Sequence, residues 1–331
     1  METSKVDWVL INKVKFAAYK YIETIVFKFD GVIFGGYVRD EYIREYNKSL
    51  FKCDDVKYGE CYWDKKISPE TYARTIISRD MDCSFNNLIL AHNFINKLSE
   101  RNSDIKNVII KHGHNYYNET IEIVMKLELD LAILSIPFIN EGVNIKIYID
   151  IVVPKVQMMA PFGNIDMLCN GFIKTRDGKM FSRNTGTIID SLNDYDRHKV
   201  IGYILDDLIK FKTRLCFNNA SNKINEMALN RILKMQRRKY KWHYINLPFN
   251  TEESKGTDEC CICQDDIKKG RCSVFVGRSA LKTHYSCCMK YLEKQKDDGI
   301  ESSFKSPCRG DIDFRTCNID IWIKSIIDNK K

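Results

Sequence analysis

Asp80 and Asp82 stand one residue apart in SRDMDCSF, and Asp150 is the single charge in IYIDIVV. Both stretches are rich in residues that favour strands. In a strand, side chains alternate between faces, so Asp80 and Asp82 point the same way while Met81 and Cys83 face the core. Two carboxylates on one face, about 7 Å apart, repel each other unless a cation lies between them. Asp150 is flanked by Ile149 and Ile151, and a lone charge there is costly unless paired or metal-bound. Three such carboxylates suit Mg²⁺, a hard cation that takes oxygen ligands and phosphate partners. Two Mg²⁺ ions can activate a hydroxyl and stabilise a leaving pyrophosphate in an in-line displacement. Gly35-Gly36 follows the apolar run Val32–Phe34. Glycines there let backbone approach a triphosphate, with N–H donors at the start of a helix. Each feature has a plainer reading: a glycine pair ends many strands, an Asp-x-Asp often makes a surface turn, and a lone Asp can pair with Arg or Lys.

A second group of residues suits different chemistry. Eight of the thirteen cysteines lie between Cys260 and Cys317. Cys260 and Cys263 form Cys-x-x-Cys, and His284 and Cys287 form His-x-x-Cys. Without a secretory signal this spacing reads as zinc ligation in preference to disulfides. Cys53, Cys61, Cys83, Cys169 and Cys216 are read as reduced, packed thiols.

The elements that must position these residues follow from periodicity. Residues 4–28 read as an amphipathic helix with Trp8, Ile11, Phe16, Tyr19, Ile22 and Val26 on one side. Asp30-Gly31 is a turn, Val32–Phe34 a short strand, and Tyr37–Tyr46 a helix. The polar stretch 47–77 reads as an insertion, with a short helix starting near Ser68-Pro69-Glu70. A strand around Arg79–Phe85 precedes a helix capped by Asn86 or Asn87 and ending near Glu100. Val108–Lys111, Glu119–Leu134 and Val143–Val153 read as strands. Residues 164–193 resist assignment, apart from a turn at Thr175–Lys179. Asp194 to about Tyr244 is helical, with a break near Asn218–Asn222.

The order helix, strand, Gly-Gly, helix, Asp-x-Asp strand, single-Asp strand resembles the nucleotidyltransferase superfamily related to DNA polymerase β. FGGYVRD (Phe34–Asp40) is similar to the Gly-Gly-x-Val-Arg-Asp signature of CCA-adding tRNA nucleotidyltransferases and bacterial poly(A) polymerases. The resemblance covers roughly residues 4–155. It implies an α+β fold with a mixed sheet and flanking helices. It implies that Gly35, Gly36 and Arg39 bind the nucleotide, and that Asp80, Asp82 and Asp150 are catalytic and hold two Mg²⁺. Arg39 and Asp40 could equally form a local ion pair. The family's downstream Arg-Arg-Asp-Phe and Glu-Asp-x-x-Arg motifs are absent; Asp194–Arg197 (DYDR) is a faint echo. The superfamily is therefore the reading, and not the CCA-adding activity.

The setting ECCICQDDI, with His284-Tyr-Ser-Cys287, resembles a RING-type zinc finger. That implies one tetrahedral Zn²⁺ site from Cys260, Cys263, His284 and Cys287. A second site is poorly matched, with Cys272, Cys308, Asp311 and Cys317 as candidates. A RING-like module implies a ubiquitin-conjugating enzyme or another protein as partner.

The formal net charge is +8 over 331 residues. Residues 196–246 hold twelve Lys/Arg and four Asp/Glu, an excess equal to the whole net charge. Within it, Arg237, Arg238, Lys241 and Trp242 combine phosphate-binding cations with an aromatic that can stack on bases. The bland alternative is a helix with a solvated basic face. No apolar run approaches the ~20 residues that span a bilayer, so no membrane partner is expected, and the start of the chain does not read as a signal peptide. The expected organisation is a catalytic domain at 1–163, a basic helical segment at 164–246, a linker at 247–259 and a zinc module at 260–331. The expected substrates are an NTP and an RNA 3′ end, acting inside the cell. The alternative is an interaction protein, or a RING-type ubiquitin ligase or adaptor, with an inactive nucleotidyltransferase-like domain.

Overall fold

The computed structural model describes residues 8–51, 80–100, 105–112, 121–131, 145–163, 165–216, 224–236, 243–244, 251–269, 272–275, 281–299, 304–307, 310–312 and 319–328. The expected insertion and its short helix fall outside these residues, apart from the end of the second helix. The chain divides into two compact units, one of residues 1–165 and 169–210, the other of 166–168 and 211–331. Among the described residues no helix is long and apolar enough to cross a membrane. The fold is α+β with a mixed sheet.

In the first unit, α1 (Trp8–Lys28), β1 (Val32–Phe34), α2 (Gly36–Phe51), β2 (Asp80–Ser84) and α3 (Leu88–Ser99) lead into β3 (Ile105–His112), β4 (Ile121–Leu131) and β5 (Ile145–Pro154). A hairpin, β6 (Phe172–Thr175) and β7 (Gly178–Phe181), and α4 (Asp194–Ile209) complete it. The strands form one sheet in the order β3-β4-β5-β2-β1-β6-β7. Only β2 and β5 pair in parallel; every other neighbouring pair in the sheet is antiparallel.

The sheet has two unlike faces. On one, Ile33, Met81, Cys83, Ile147, Ile149 and Ile151 are fully buried. Tyr19, Ile22, Ile25 and Val26 are the buried side of α1, and Ala91, Phe94, Ile95 and Leu98 that of α3. The turn after α1 is tight: a Cβ on Gly31 would lie 2.6 Å from the Phe85 ring. Asn87 caps α3, its side chain accepting from the Leu90 N–H at 2.9 Å, which satisfies a donor the helix cannot. The opposite face carries Phe34, Val152 and Ile173, covered by Ala160 and Phe162, and beyond them the aspartates.

The β6–β7 hairpin lies in the stretch that the sequence left unassigned. Thr175–Lys179 is its turn, with Thr175 paired to Gly178. Its strands escape a hydrophobic pattern because Lys174 points inward. Lys174 Nζ reaches Glu23 at 2.7 Å and Glu41 at 2.8 Å, so a cation occupies a core-facing position.

The second unit holds β8 (Lys212–Thr213), α5 (Ile224–Gln236), β9 (His243–Tyr244), β10 (Thr251–Glu253), β11 (Asp258–Glu259) and β12 (Asp266–Ile267). It continues with β13 (Cys272–Phe275), β14 (Lys282–His284), α6 (Tyr285–Asp297), β15 (Phe304–Lys305), β16 (Asp311–Ile312) and α7 (Asp320–Asp328). The basic segment is thus split between the units, α4 in the first and α5 in the second. The stretch read as a linker carries β10, paired with β13, and β11, paired with β12. Polar strands such as Thr251-Glu252-Glu253 leave no apolar alternation to read.

Candidate functional site

The register of β2 against β5 sets Asp82 directly beside Asp150, and Asp80 beside Tyr148. Neighbouring strands lie about 4.8 Å apart, so the Asp82 and Asp150 carboxylates are lateral neighbours on one face. Asp80 is one step along β2 on that face. All three are partly buried, whereas Met81, Cys83, Ile149 and Ile151 are fully so. The Cys83 thiol reports the local charge. Burial pushes its pKa up, and the fields of Asp82 and Asp150 push it further.

β1 pairs with the other side of β2, with Phe34 opposite Asp82. The chain then turns through Gly35, at φ 72°. A Cβ there would sit 3.4 Å from Asp82 Oδ2. The turn therefore abuts the Asp82 carboxylate, in a backbone conformation that glycine adopts without the penalty of a side chain. The Gly35 N–H is used within the sheet, donating to the Phe172 carbonyl at 3.0 Å. α2 begins at Gly36, and the Arg39 N–H makes the first helical bond, to the Gly35 carbonyl. The N–H groups of Gly36, Tyr37 and Val38 precede that bond and have no acceptor within the helix, the arrangement that suits an anion.

Arg39 is placed differently from these groups. It is 1% exposed. Its Nε donates to Asp40 Oδ1 at 2.8 Å and its Nη1 to Asn170 Oδ1 at 3.0 Å. Its place is a buried pair that ties α2 to the segment after β5. Arg197, the last residue of DYDR, is likewise buried and donates to the carbonyls of Phe181, Ser182 and Ile189. It holds the end of β7 against α4.

A polar cluster that the sequence reading missed fixes the start of α2. Glu23 and Glu41 both accept from Lys174 and from Lys20, and the Tyr37 hydroxyl donates to Glu23 at 3.1 Å. Burial alone would raise the Glu41 pKa. The hydrogen bonds from Lys174 and Lys20 outweigh it and hold the carboxyl down at about 2. Tyr19, 2% exposed on α1, packs against the Tyr37 ring with centroids 5.7 Å apart and feels the charge of the site. Burial and the field of Asp80 push its hydroxyl up, against a hydrogen bond from the Tyr148 backbone.

The second unit brings four ligands together. Cys260 lies at the end of β11, and its N–H donates to the Asp265 carbonyl at 2.9 Å. The Gln264 N–H returns to the Cys260 carbonyl at 2.8 Å, with Gln264 at φ 63°. This knuckle carries Cys260 and Cys263. β14 ends on His284, which precedes the first turn of α6, and that turn supplies Cys287. The ligand atoms of Cys260, Cys263, His284 and Cys287 all lie within 4.8 Å of one another. His284 Nδ1 is 3.4 Å from Cys263 Sγ and 3.8 Å from Cys287 Sγ. The other ring nitrogen, Nε2, is 3.3 Å from the Asp266 carbonyl, a contact that fixes the ring and leaves Nδ1 as the ligand. Three thiols and an imidazole at this spacing fit tetrahedral Zn²⁺. Burial works against the Cys260 thiolate, yet backbone N–H groups of Cys263, His284 and Ile262 lower its pKa to about 6. Burial and the neighbouring thiols push Cys287 up to about 12.

Among the described residues this is the one group of His, Cys, Asp and Glu whose ligand atoms are gathered as a metal cage requires. The three aspartates share a face without forming such a cage. No family model, curated protein or solved structure matches the chain. The reading of both sites therefore rests on their own geometry.

Of the other residues singled out by sequence, Arg237, Arg238, Lys241, Trp242, Cys308 and Cys317 lie outside the described residues. Cys272 is placed on β13 by its backbone. Asp311 is exposed and ion-paired with Lys305 across the β15–β16 hairpin. Cys288 is buried and Cys261 exposed, neither among the four gathered ligands. Residues on the aspartate face that went unremarked in the sequence include Tyr148, 44% exposed, Glu128, its partner in register on β4, and Lys126, the β4 residue in register with Asp150. The alternation in IKIYIDIVV carried a signal for Tyr148, since it places Tyr148 and Asp150 on one side.

Proposed function

We propose that the chain is a metal-dependent nucleotidyltransferase that moves a nucleoside monophosphate from an NTP to an acceptor hydroxyl, with an RNA 3′ end as the acceptor. One observation carries the reading. The strand register makes Asp82 and Asp150 neighbours on a face shared with Asp80, and the glycine turn that opens α2 abuts Asp82.

In this reading the first N–H groups of α2 meet the triphosphate oxygens. The absence of a side chain at Gly35 keeps the approach to Asp82 open. Asp80 and Asp82 hold the cations on the nucleotide side, and Asp150 faces the attacking hydroxyl. Mg²⁺, when bound, would neutralise developing charge on the attacking and leaving oxygens. Mg²⁺ keeps several waters and takes one or two carboxylates plus substrate phosphates, so an open row of carboxylates fits it better than a closed cage would. The buried cluster of Glu23, Glu41, Lys20, Lys174 and Tyr37 holds the start of α2 in place.

The test is incubation of the full chain with labelled NTPs, Mg²⁺ and an RNA pool. Label should enter RNA, and Asp82→Ala or Asp150→Ala should lower the rate at least a hundredfold. Absence of incorporation, or incorporation indifferent to both changes, overturns the reading.

The four-ligand cluster favours a second reading, an interaction protein built on the zinc module, acting as a RING-type ubiquitin ligase or adaptor. Autoubiquitination lost on Cys263→Ala but indifferent to Asp82→Ala would favour it.

A further inference from the structure

We infer that Tyr148 is the platform on which the acceptor's terminal base stacks, which makes the acceptor an unpaired nucleic-acid end and Tyr148 the residue that selects it. The inference rests on the transferase reading above and deepens it.

Ile147, Ile149 and Ile151 are fully buried, while Lys146 and Tyr148 are exposed and Asp150 is partly so. β5 is the third strand of a seven-stranded sheet, where a large aromatic facing outward is normally covered. Along this face the cover ends part-way. Val152 is 2% exposed beside Ala160 and Phe162, whereas Tyr148 is 44% exposed. Asp150 marks the boundary between the closed and the open part.

Position relative to the glycine turn decides which substrate Tyr148 meets. β1 and its turn flank β2 on one side, and β5 flanks it on the other. A triphosphate on the α2 N–H groups therefore lies on the β1 side of Asp82. Tyr148 lies on the far side, about 7 Å along the strand from Asp150. A hydroxyl over Asp150 has the body of its own molecule extending over Tyr148.

The surroundings of the ring favour a base over a phosphate. Asp80 and Glu128 flank Tyr148 in register; Lys146 beside it is ion-paired with Glu128, and Lys126 of β4 stands in register with Asp150. Phosphate gains little from that setting. An aromatic face accepts any base by stacking. The backbone beneath the ring is held in the ladders to β2 and β4, so the ring is presented from a fixed strand and not from a loop. A serine hydroxyl of a protein or a small polyol offers nothing to stack.

The experiment uses the full chain in two arms. In the first, Asp150→Asn removes turnover, and a 5′-labelled oligoribonucleotide is titrated by fluorescence anisotropy in the presence of Mg²⁺. A second oligonucleotide ends in an abasic ribose. Adding Tyr148→Ala should weaken binding of the base-terminated oligonucleotide at least tenfold and leave the abasic one unchanged, and Tyr148→Phe should restore it. In the second arm, acceptor KM is measured with Asp150 intact, and Tyr148→Ala should raise it with little change in kcat. Equal binding of both oligonucleotides by Tyr148→Ala and its parent overturns the inference, as does an unchanged acceptor KM. Efficient transfer to a protein or a polyol that ignores Tyr148 also overturns it. Failure of transfer with every acceptor, alongside Tyr148-dependent binding, instead removes the transferase reading and leaves a base-binding site.

Discussion

Cys260 and Cys263 share one knuckle, and His284 and Cys287 share the entry to one helix. Asp82 and Asp150 meet only because two distant strands pair in parallel. The zinc-type site is thus made of local pieces that converge on a point, while the aspartate row is laid out along a sheet. Their supports differ in the same way. Around the four ligands, β11 and β12 are two residues long and β14 is three. Around the aspartates stands a seven-stranded sheet whose far face is fully buried at Ile33, Met81, Cys83, Ile147, Ile149 and Ile151. A small, loop-rich unit depends on its metal for folding free energy. The aspartates are a burden that the sheet tolerates. Removing a ligand should therefore have opposite consequences in the two regions.

The largest effect is expected at the zinc-type site. Structural zinc is worth about 10–16 kcal/mol in small peptides. Native mass spectrometry should find one zinc on Cys260, Cys263, His284 and Cys287, and Cys263→Ala should remove it. Chelation should expose the backbone amides of residues 258–269 and 281–299 to hydrogen exchange while those of β2 and β5 stay protected. Amides of 258–269 and 281–299 that remain protected without metal would break the contrast.

The next effect tests how the fold holds the glycine turn. The Glu41 carboxyl stands at about 2 in the folded chain against an ordinary 4.5. A depressed pKa adds stability that is fully present above about 4.5 and is lost as pH falls through about 2. Between pH 6 and pH 3 this group should cost about 2 kcal/mol. Urea unfolding at the two pH values measures the loss, and Glu41→Gln should flatten that share of it. An unchanged pH dependence in Glu41→Gln would mean that Lys20 and Lys174 do not hold α2 through this carboxylate.

Gly35→Ala should be smaller in stability and larger in function. Alanine at φ 72° costs about 1–2 kcal/mol, and its methyl would lie in contact with Asp82 Oδ2 and narrow the approach to it. Thermal unfolding should show the first effect, and NTP incorporation should fall well beyond what that instability explains.

What could be read from the sequence follows the same division. The knuckle and helix ligands were legible because their spacing is local. β1, β2 and β5 were legible because apolar residues alternate around Asp80, Asp82 and Asp150. The pairing of β2 with β5 was not, since register between distant parallel strands leaves no local trace. Lys174 hid β6 because its partners, Glu23 and Glu41, come from two helices far away in the chain. Arg39 shows the converse. Its place in FGGYVRD suggested a phosphate ligand, yet Asn170, remote in sequence, and its neighbour Asp40 draw it into the interior.

The smallest effect is the most pointed. Asp82 and Asp150 are like charges directly across a strand pair, an arrangement that destabilises a sheet by up to about 1 kcal/mol. Asp150→Asn keeps the shape and removes one charge, so without divalent cation the first unit should become slightly more stable where the repulsion from Asp82 outweighs the attraction of Lys126, the register partner of Asp150 on β4. On the proposed function, a bound Mg²⁺ would screen the same repulsion, and its addition should stabilise the parent chain and do less for Asp150→Asn. Thermal unfolding of both proteins, with and without Mg²⁺, measures the difference. A purely structural aspartate, paired to a neighbouring cation, predicts the reverse sign: loss of stability on substitution and no response to Mg²⁺. The direction of the shift, and not its size, separates a face arranged for a ligand from one arranged for the fold.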